Sequence, residues 1–301
     1  MPAGGIDVPM VAMAPSPVVD VRVNGQGPFR FMLDTGGSGA ARTDAALVNR
    51  LHLPIVGQAQ ASDGTGRGVR TLDVVHLDTL TIGGAEFRDL DVPSRDYNAG
   101  RPADQAIDGV LGFGLFTDYL LTLDFPAHRI RVVAGTLPPP DGTTIVPLTL
   151  DRGIPTLPIR IGDRRIDADI DSGSMGGLSV PMAISKDLPL DGKPTVAGHA
   201  RTVSNEFDIY DAPLKGSAFL GGFELANPTL SFSEVFRVAN VGMRVLRDFV
   251  LTIDQKTGRM KLARASGLAG AALKEAALDG IAGEARGGQE MPARAVGVTQ
   301  P

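Results

Sequence analysis

Asp34-Thr35-Gly36 closes the apolar stretch Phe29-Arg30-Phe31-Met32-Leu33, and Asp171-Ser172-Gly173 closes Ile166-Asp167-Ala168-Asp169-Ile170. A carboxylate at a strand end, followed by a small hydroxyl residue and Gly, has a physical rationale. Gly lets the backbone turn sharply and lets two loops approach, while the hydroxyl can brace one loop on the other. One such acid from each half of the chain would form a shared pair. Two carboxyls in one site cannot both ionise cheaply, so one keeps its proton while the other is charged, and they titrate as a unit. The charged member can take a proton from a water while the protonated member donates to the oxygen of the carbonyl under attack. This hydrolysis requires no metal, cofactor, cysteine or histidine. The candidate catalytic residues are therefore Asp34 and Asp171, with Thr35, Gly36, Ser172, Gly173 and Ser174 supporting them and no metal ligands or cofactor expected.

The chain around these tripeptides repeats itself. Val8-Pro9-Met10 returns as Val146-Pro147-Leu148 and Val21-Arg22-Val23 as Ile159-Arg160-Ile161, both 138 positions later. The acidic tripeptides follow at 137, and the run Gly112 to Asp124 aligns without a gap on Gly242 to Asp254 at 130. The smaller offset puts an extra loop in the first half, around Pro93 to Asp108. The repeated units run about 8–133 and 146–263, each domain-sized and far longer than a solenoid repeat. The organisation expected is an N-terminal lobe over 1–137, a Pro-rich linker over 138–142, a C-terminal lobe over 143–263 and an Ala/Gly-rich tail over 264–301. That tail is expected to be flexible, with a loose helix at Gly267–Leu278.

Period-two alternation bounded by Gly, Pro, Asp or Asn dominates, as in Val19-Asp20-Val21-Arg22-Val23 before Asn24-Gly25, so the chain reads as mostly β. Short helices are expected at Asp44–Leu51, Phe116–Tyr119 and Leu246–Phe249. The recurring Asp124 and Asp254 each precede a turn and are read as turn initiators.

Bulk properties exclude several classes. The 301 residues are 43% hydrophobic, with a formal charge of −5 and no basic block, so nucleic acid and anionic lipid are not expected partners. No cysteine is present, and His52, His76, His128 and His199 are isolated from one another. No apolar run is long enough to span a bilayer. Met1 to Met13 lacks a charged start and a continuous apolar run, so the expectation is an intracellular protein, or a periplasmic or secreted one whose export signal precedes this numbering. Asp167, Asp169 and Asp171 invite a calcium reading, which fails because Ser172 and Leu178 stand where the loop requires Gly and Glu. The same alternation reads Asp167 and Asp169 as solvent-facing. Ala40 and Ser172 likewise break the glycine pattern of a serine nucleophile elbow.

With these motifs in hand, the chain resembles the pepsin/retropepsin-type aspartic peptidases, most closely the bacterial retropepsin-like aspartyl proteases in which two units are fused in one chain. The resemblance spans Val8 to Ala263 and rests on Leu33-Asp34-Thr35-Gly36, Ile170-Asp171-Ser172-Gly173, Val110-Leu111-Gly112 and Asn240-Val241-Gly242. It implies an all-β, bilobal acid protease fold with pseudo-twofold halves, in which each apolar-apolar-Gly segment crosses beside an acidic loop. It further implies an aspartic endopeptidase acting on a peptide or protein substrate, monomeric because both half-sites lie in one chain. The shared proton is the known behaviour of that enzyme class. A flap is implied around Asp63, Gly64, Thr65 and Gly66, with a second around Arg201 to Glu206. Three features depart from the pattern. Gly37 stands where Ser or Ala is usual, whereas its counterpart is Ser174, whose hydroxyl is expected to reach Asp171 and favour its ionisation. The chain has no tryptophan and its first flap no tyrosine. Asn240 is polar where an apolar residue is usual. The alternative reading, from another class, is a peptide-binding or assembly module that keeps the fold without turnover.

Overall fold

The strand that delivers Asp34 begins in a hairpin. Val18–Val23 buries Val19, Val21 and Val23 and exposes Asp20 and Arg22, as one face of a half-buried strand requires. It pairs antiparallel with Gln26–Asp34 through a two-residue turn in which Asn24 and Gly25 both have positive φ, the geometry that Asn-Gly tolerates best. Towards its end Gln26–Asp34 is buried on both faces, with Phe31, Leu33 and Asp34 sealed from solvent. The computed structural model describes residues 1–11, 16–62, 69–150, 152–202 and 206–265, with the short segments 290–291 and 294–295.

The fold is mostly β. In the first half, Val18–Val23, Gln26–Asp34, Gly109–Gly112, Ala41–Asp44, Ala85–Arg95, Arg70–Ile82 and Ile55–Ser62 lie in that order in one sheet. Val18–Val23 also pairs with Arg70–Ile82, which curls the sheet towards a barrel. A second sheet holds Phe223–Ala226, Ser217–Leu220, Thr156–Ile161, Arg164–Ile170, Ala239–Val241, Leu178–Pro181, Thr229–Ser233, Glu206–Pro213 and Thr195–Thr202 in that order. The tail segments Glu290–Met291 and Arg294–Ala295 pair with the edge strands Thr195–Thr202 and Ile55–Ser62.

A third sheet of six strands takes Ile6–Pro9, Arg129–Val133 and Leu120–Asp124 from the first half and Phe249–Asp254, Arg259–Arg264 and Ile145–Pro147 from the second. At its centre Thr122 lies opposite Thr252, the residue that the sequence offset pairs with it, and their hydroxyls are 3.0 Å apart. Leu121, Leu123, Leu251 and Ile253 are fully buried here, and one continuous apolar core runs through both halves. At roughly 1.5–3 kcal/mol for each such side chain, this core holds the two acidic loops in a fixed relation. Asp124 and Asp254 accept backbone bonds from Ala127 and Thr257 across the following turns, and Asp254 also accepts from Leu137 N–H.

Beside each acidic loop, the same crossing is built. Gly109–Gly112 runs parallel to Gln26–Asp34 and antiparallel to Ala41–Asp44; Ala239–Val241 runs parallel to Arg164–Ile170 and antiparallel to Leu178–Pro181. Gly112, Phe113 and Gly114 donate to the carbonyls of Ala40, Gly37 and Gly39; Gly242, Met243 and Arg244 donate to those of Gly177, Ser174 and Gly176. The helices sit close to these glycines. Ala45–Leu51 falls where a helix was expected and is capped by the Asp44 carboxylate, whereas the turns Phe113–Phe116 and Met243–Leu246 begin directly after their glycines, earlier than the expected Phe116–Tyr119 and Leu246–Phe249. The crossing ends the strand there, and the freed amides turn back onto the loop.

Some expectations fall elsewhere. The flap residues Asp63, Gly64, Thr65 and Gly66, and Val203 to Asn205 of the second flap, lie outside the described residues, as does the helix expected at Gly267–Leu278. The strands flanking the first, Ile55–Ser62 and Arg70–Ile82, pair antiparallel. Among the described residues no helix is long and apolar enough to cross a membrane. Asp169 is not solvent-facing: it is buried beneath Arg152 and hydrogen-bonded to Thr156, because the segment before Thr156–Ile161 folds over that face.

Close backbone approach makes Gly112 sensitive. A Cβ there would lie 2.3 Å from the Gly39 carbonyl oxygen, while one at Gly57 meets nothing within 4 Å. Gly112→Ala is expected to lower the unfolding free energy by about 1–3 kcal/mol and Gly57→Ala to change it by less than about 0.5 kcal/mol, measured by urea denaturation.

Candidate active site

Each acidic loop is braced by the hydroxyl of the other. Thr35 N–H donates to Ser172 Oγ at 3.0 Å and Ser172 N–H to Thr35 Oγ1 at 2.9 Å. In turn Thr35 Oγ1 donates to the Ile170 carbonyl at 2.6 Å and Ser172 Oγ to that of Leu33 at 2.8 Å. Thr35 and Ser172 are fully buried, so all four bonds form away from water, where leaving one unmade is costly.

The glycines bring the acids together. A Cβ on Gly36 would lie 2.4 Å from Asp171 Cγ, and one on Gly173 would lie 2.6 Å from Asp34 Oδ1. Each glycine thus packs its bare backbone against the carboxyl of the opposite half. The carboxyls are within hydrogen-bonding reach of each other, with Asp34 fully buried and Asp171 only 4% exposed.

Their surroundings differ. Asp171 Oδ1 accepts from Gly173 N–H at 2.9 Å and Ser174 N–H at 3.1 Å, while Oδ2 accepts from Asn240 Nδ2 at 2.8 Å. Among the described residues neither oxygen of Asp34 has an aligned hydrogen-bond donor. Burial pushes the Asp34 carboxyl well above the usual aspartate range, the neighbouring Asp171 adds to this, and the Arg42 charge and the nearby Gly36 N–H work against it. Burial also raises Asp171, but the Asn240 amide and Gly173 N–H oppose it, while the charge of Asp169 adds to it. The two buried carboxyls act on each other, so they ionise as a unit.

Two residues of this surrounding are not in the predicted set. Arg42, on the wholly buried strand Ala41–Asp44, donates from Nη2 to the Ser38 carbonyl at 2.7 Å. A Cβ on Gly37 would lie 2.6 Å from Arg42 Nη1 and 2.9 Å from Asp34 Oδ2. The guanidinium therefore fills the space that a side chain at position 37 would need, which accounts for the glycine there. A charged residue in a buried strand beside the acidic loop was the available signal. Asn240 was visible as a misfit, and its partner explains it. Ser174 corrects an expectation: its backbone N–H, not its hydroxyl, reaches Asp171, and the hydroxyl accepts from Gly176 N–H at 3.3 Å.

Two outcomes follow from this geometry. Ser172→Ala leaves Thr35 N–H and the Leu33 carbonyl without their buried partners and is expected to cost about 1–3 kcal/mol for each group in urea denaturation. Both acids are raised on folding, so the folded state keeps protons that the unfolded chain has released. Their contribution to stability is therefore greatest below the ordinary aspartate range and is lost as pH rises through the raised values. Asp34→Asn is accordingly expected to gain stability relative to the parent protein as pH rises from about 4 to about 8, read from urea midpoints at each pH.

Residues 19–115 match the family model for aspartyl protease, a span that includes Asp34, Thr35, Gly36 and Val110-Leu111-Gly112. No curated protein matches the chain. The matched span carries one acidic loop and its glycine crossing. Over residues 19–115 the chain is therefore similar to the aspartyl protease family.

Proposed function

We propose that the chain is an aspartic endopeptidase in which Asp34 and Asp171 act on a water held between them. The observation that carries this reading is the reciprocal seating of each carboxyl against the glycine of the opposite loop. Asp171, better supplied with donors, carries the charge and takes a proton from the water as its oxygen attacks the amide carbon of a peptide bond. Asp34 gives its proton to the carbonyl oxygen, yielding a neutral gem-diol. Collapse returns a proton through the pair to the departing nitrogen, releasing an amine and a carboxylic acid. Arg42 favours charge on Asp34 and so eases the release of its proton.

The same reading takes the chain as two fused retropepsin-like units, over 1–137 and 143–263, joined by 138–142. The matching crossings at Gly112 and Gly242 and the Thr122–Thr252 pairing support it. One molecule then supplies both half-sites, so the active species is a monomer. Asp63 to Gly66, between the antiparallel strands Ile55–Ser62 and Arg70–Ile82, act as the lid over a bound peptide.

Digestion of a peptide library from acidic to neutral pH tests this. The parent protein is expected to cleave with a bell-shaped profile, activity falling on the acid side as Asp171 is protonated and on the alkaline side as Asp34 loses its proton. Asp34→Asn and Asp171→Asn are each expected to lower kcat by at least about 10³-fold, and a statine-type inhibitor is expected to block the parent. Cleavage that survives both substitutions would reject the pair. Peptide binding without cleavage in the parent would favour a non-catalytic binding module.

A further inference from the structure

Asn240 and Val110 occupy the same register in the two crossings. Val110 lies opposite Met32 and Arg42, and Asn240 opposite Asp169 and Ser179. One crossing therefore carries an alkyl group at this position and the other an amide. Asn240 Nδ2 donates to Asp171 Oδ2 at 2.8 Å, and its own Oδ1 is buried without a hydrogen-bond partner among the described residues. Among the described side-chain hydrogen bonds, the one to Asp171 alone holds this amide. A bond to an ionised acceptor is about twice as strong as one between neutral groups, so the amide is best satisfied when Asp171 is charged.

We propose that Asn240 is a positioning residue that assigns the charge of the carboxyl pair to Asp171 and so leaves the proton on Asp34. The inference rests on the reading of Asp34 and Asp171 as the working pair and adds the order in which they ionise. Gly173 and Ser174 N–H groups occupy Asp171 Oδ1, and the bond from Asn240 completes the set at Oδ2. The charged groups around the pair do not produce this order. Asp169, on the strand leading to Asp171, disfavours charge there, although Arg152 and Thr156 hold its carboxylate; Arg42, on the opposite side, favours charge on Asp34. Both influences point the other way, and the hydrogen bonds to Asp171 oppose them.

Carboxyl ¹³C NMR titration of the Asp-labelled protein tests the proposal without requiring turnover. In the parent, the step at lower pH is expected to be read on the Asp171 carboxyl and the higher one on Asp34. In Asn240→Val, which copies Val110, the lower step is expected to move up by about one to two pH units, and the acid limb of any kcat/KM profile with it. If Asp34 is the first to ionise in the parent, the proposal is overturned whether or not the variant folds. An unmoved Asp171 step in a folded Asn240→Val protein also overturns it, while leaving the peptidase reading intact. A shifted step in a protein that cleaves no peptide would uphold the charge assignment and remove the hydrolytic reading.

Discussion

Two carboxyl groups buried beside each other cannot both be charged cheaply, and the architecture around Asp34 and Asp171 maintains that constraint. The cost of charging either group in a buried site favours sharing one proton, and what tips the balance is the number of donors aimed at each oxygen. Asp171 has two backbone amides and a side-chain amide, while Asp34 has no aligned donor among the described residues. The difference between the halves is therefore chemical. Their backbones trace the same crossing, and the side chains at positions 110 and 240, and at 42 and 179, set them apart.

Holding the acids there falls to other groups of the two loops. Thr35 and Ser172 lock the loops through four buried bonds, each running from one half of the chain to the other. Gly36 and Gly173 remove the side chains that would separate the carboxyls. Gly112 and Gly242 then let the crossing strands pass close to the loop backbone. Beneath them, the shared six-stranded sheet and its continuous apolar core fix the relation between the halves. A displacement in any of these layers would change the distance on which the shared proton depends.

Much of this was legible in the chain. The duplicated tripeptide named the acids and their hydroxyl braces, the alternation named the strands, and Asn24-Gly25 named its hairpin. What escaped was set by contacts distant in sequence. Asp169 reads as outward-facing by alternation, yet Arg152 and Thr156 cover it. Arg42 drew no reading from the sequence, and only the structure shows its guanidinium filling the space beside Gly37. Asn240 reads as a flaw in an apolar motif because a strand pattern cannot show that a carboxylate lies within 2.8 Å of its amide. The turns after Gly112 and Gly242 begin early because the crossing, rather than local propensity, ends those strands.

The central claim is that one proton lies between the two acids and belongs to Asp34. Neutron diffraction from crystals of the perdeuterated protein would observe it directly. The account predicts a single deuteron between the carboxyls, bonded to an oxygen of Asp34, with Asp171 carrying none. A pair with no deuteron, one bonded to Asp171, or carboxyl oxygens too far apart to share it would contradict the account.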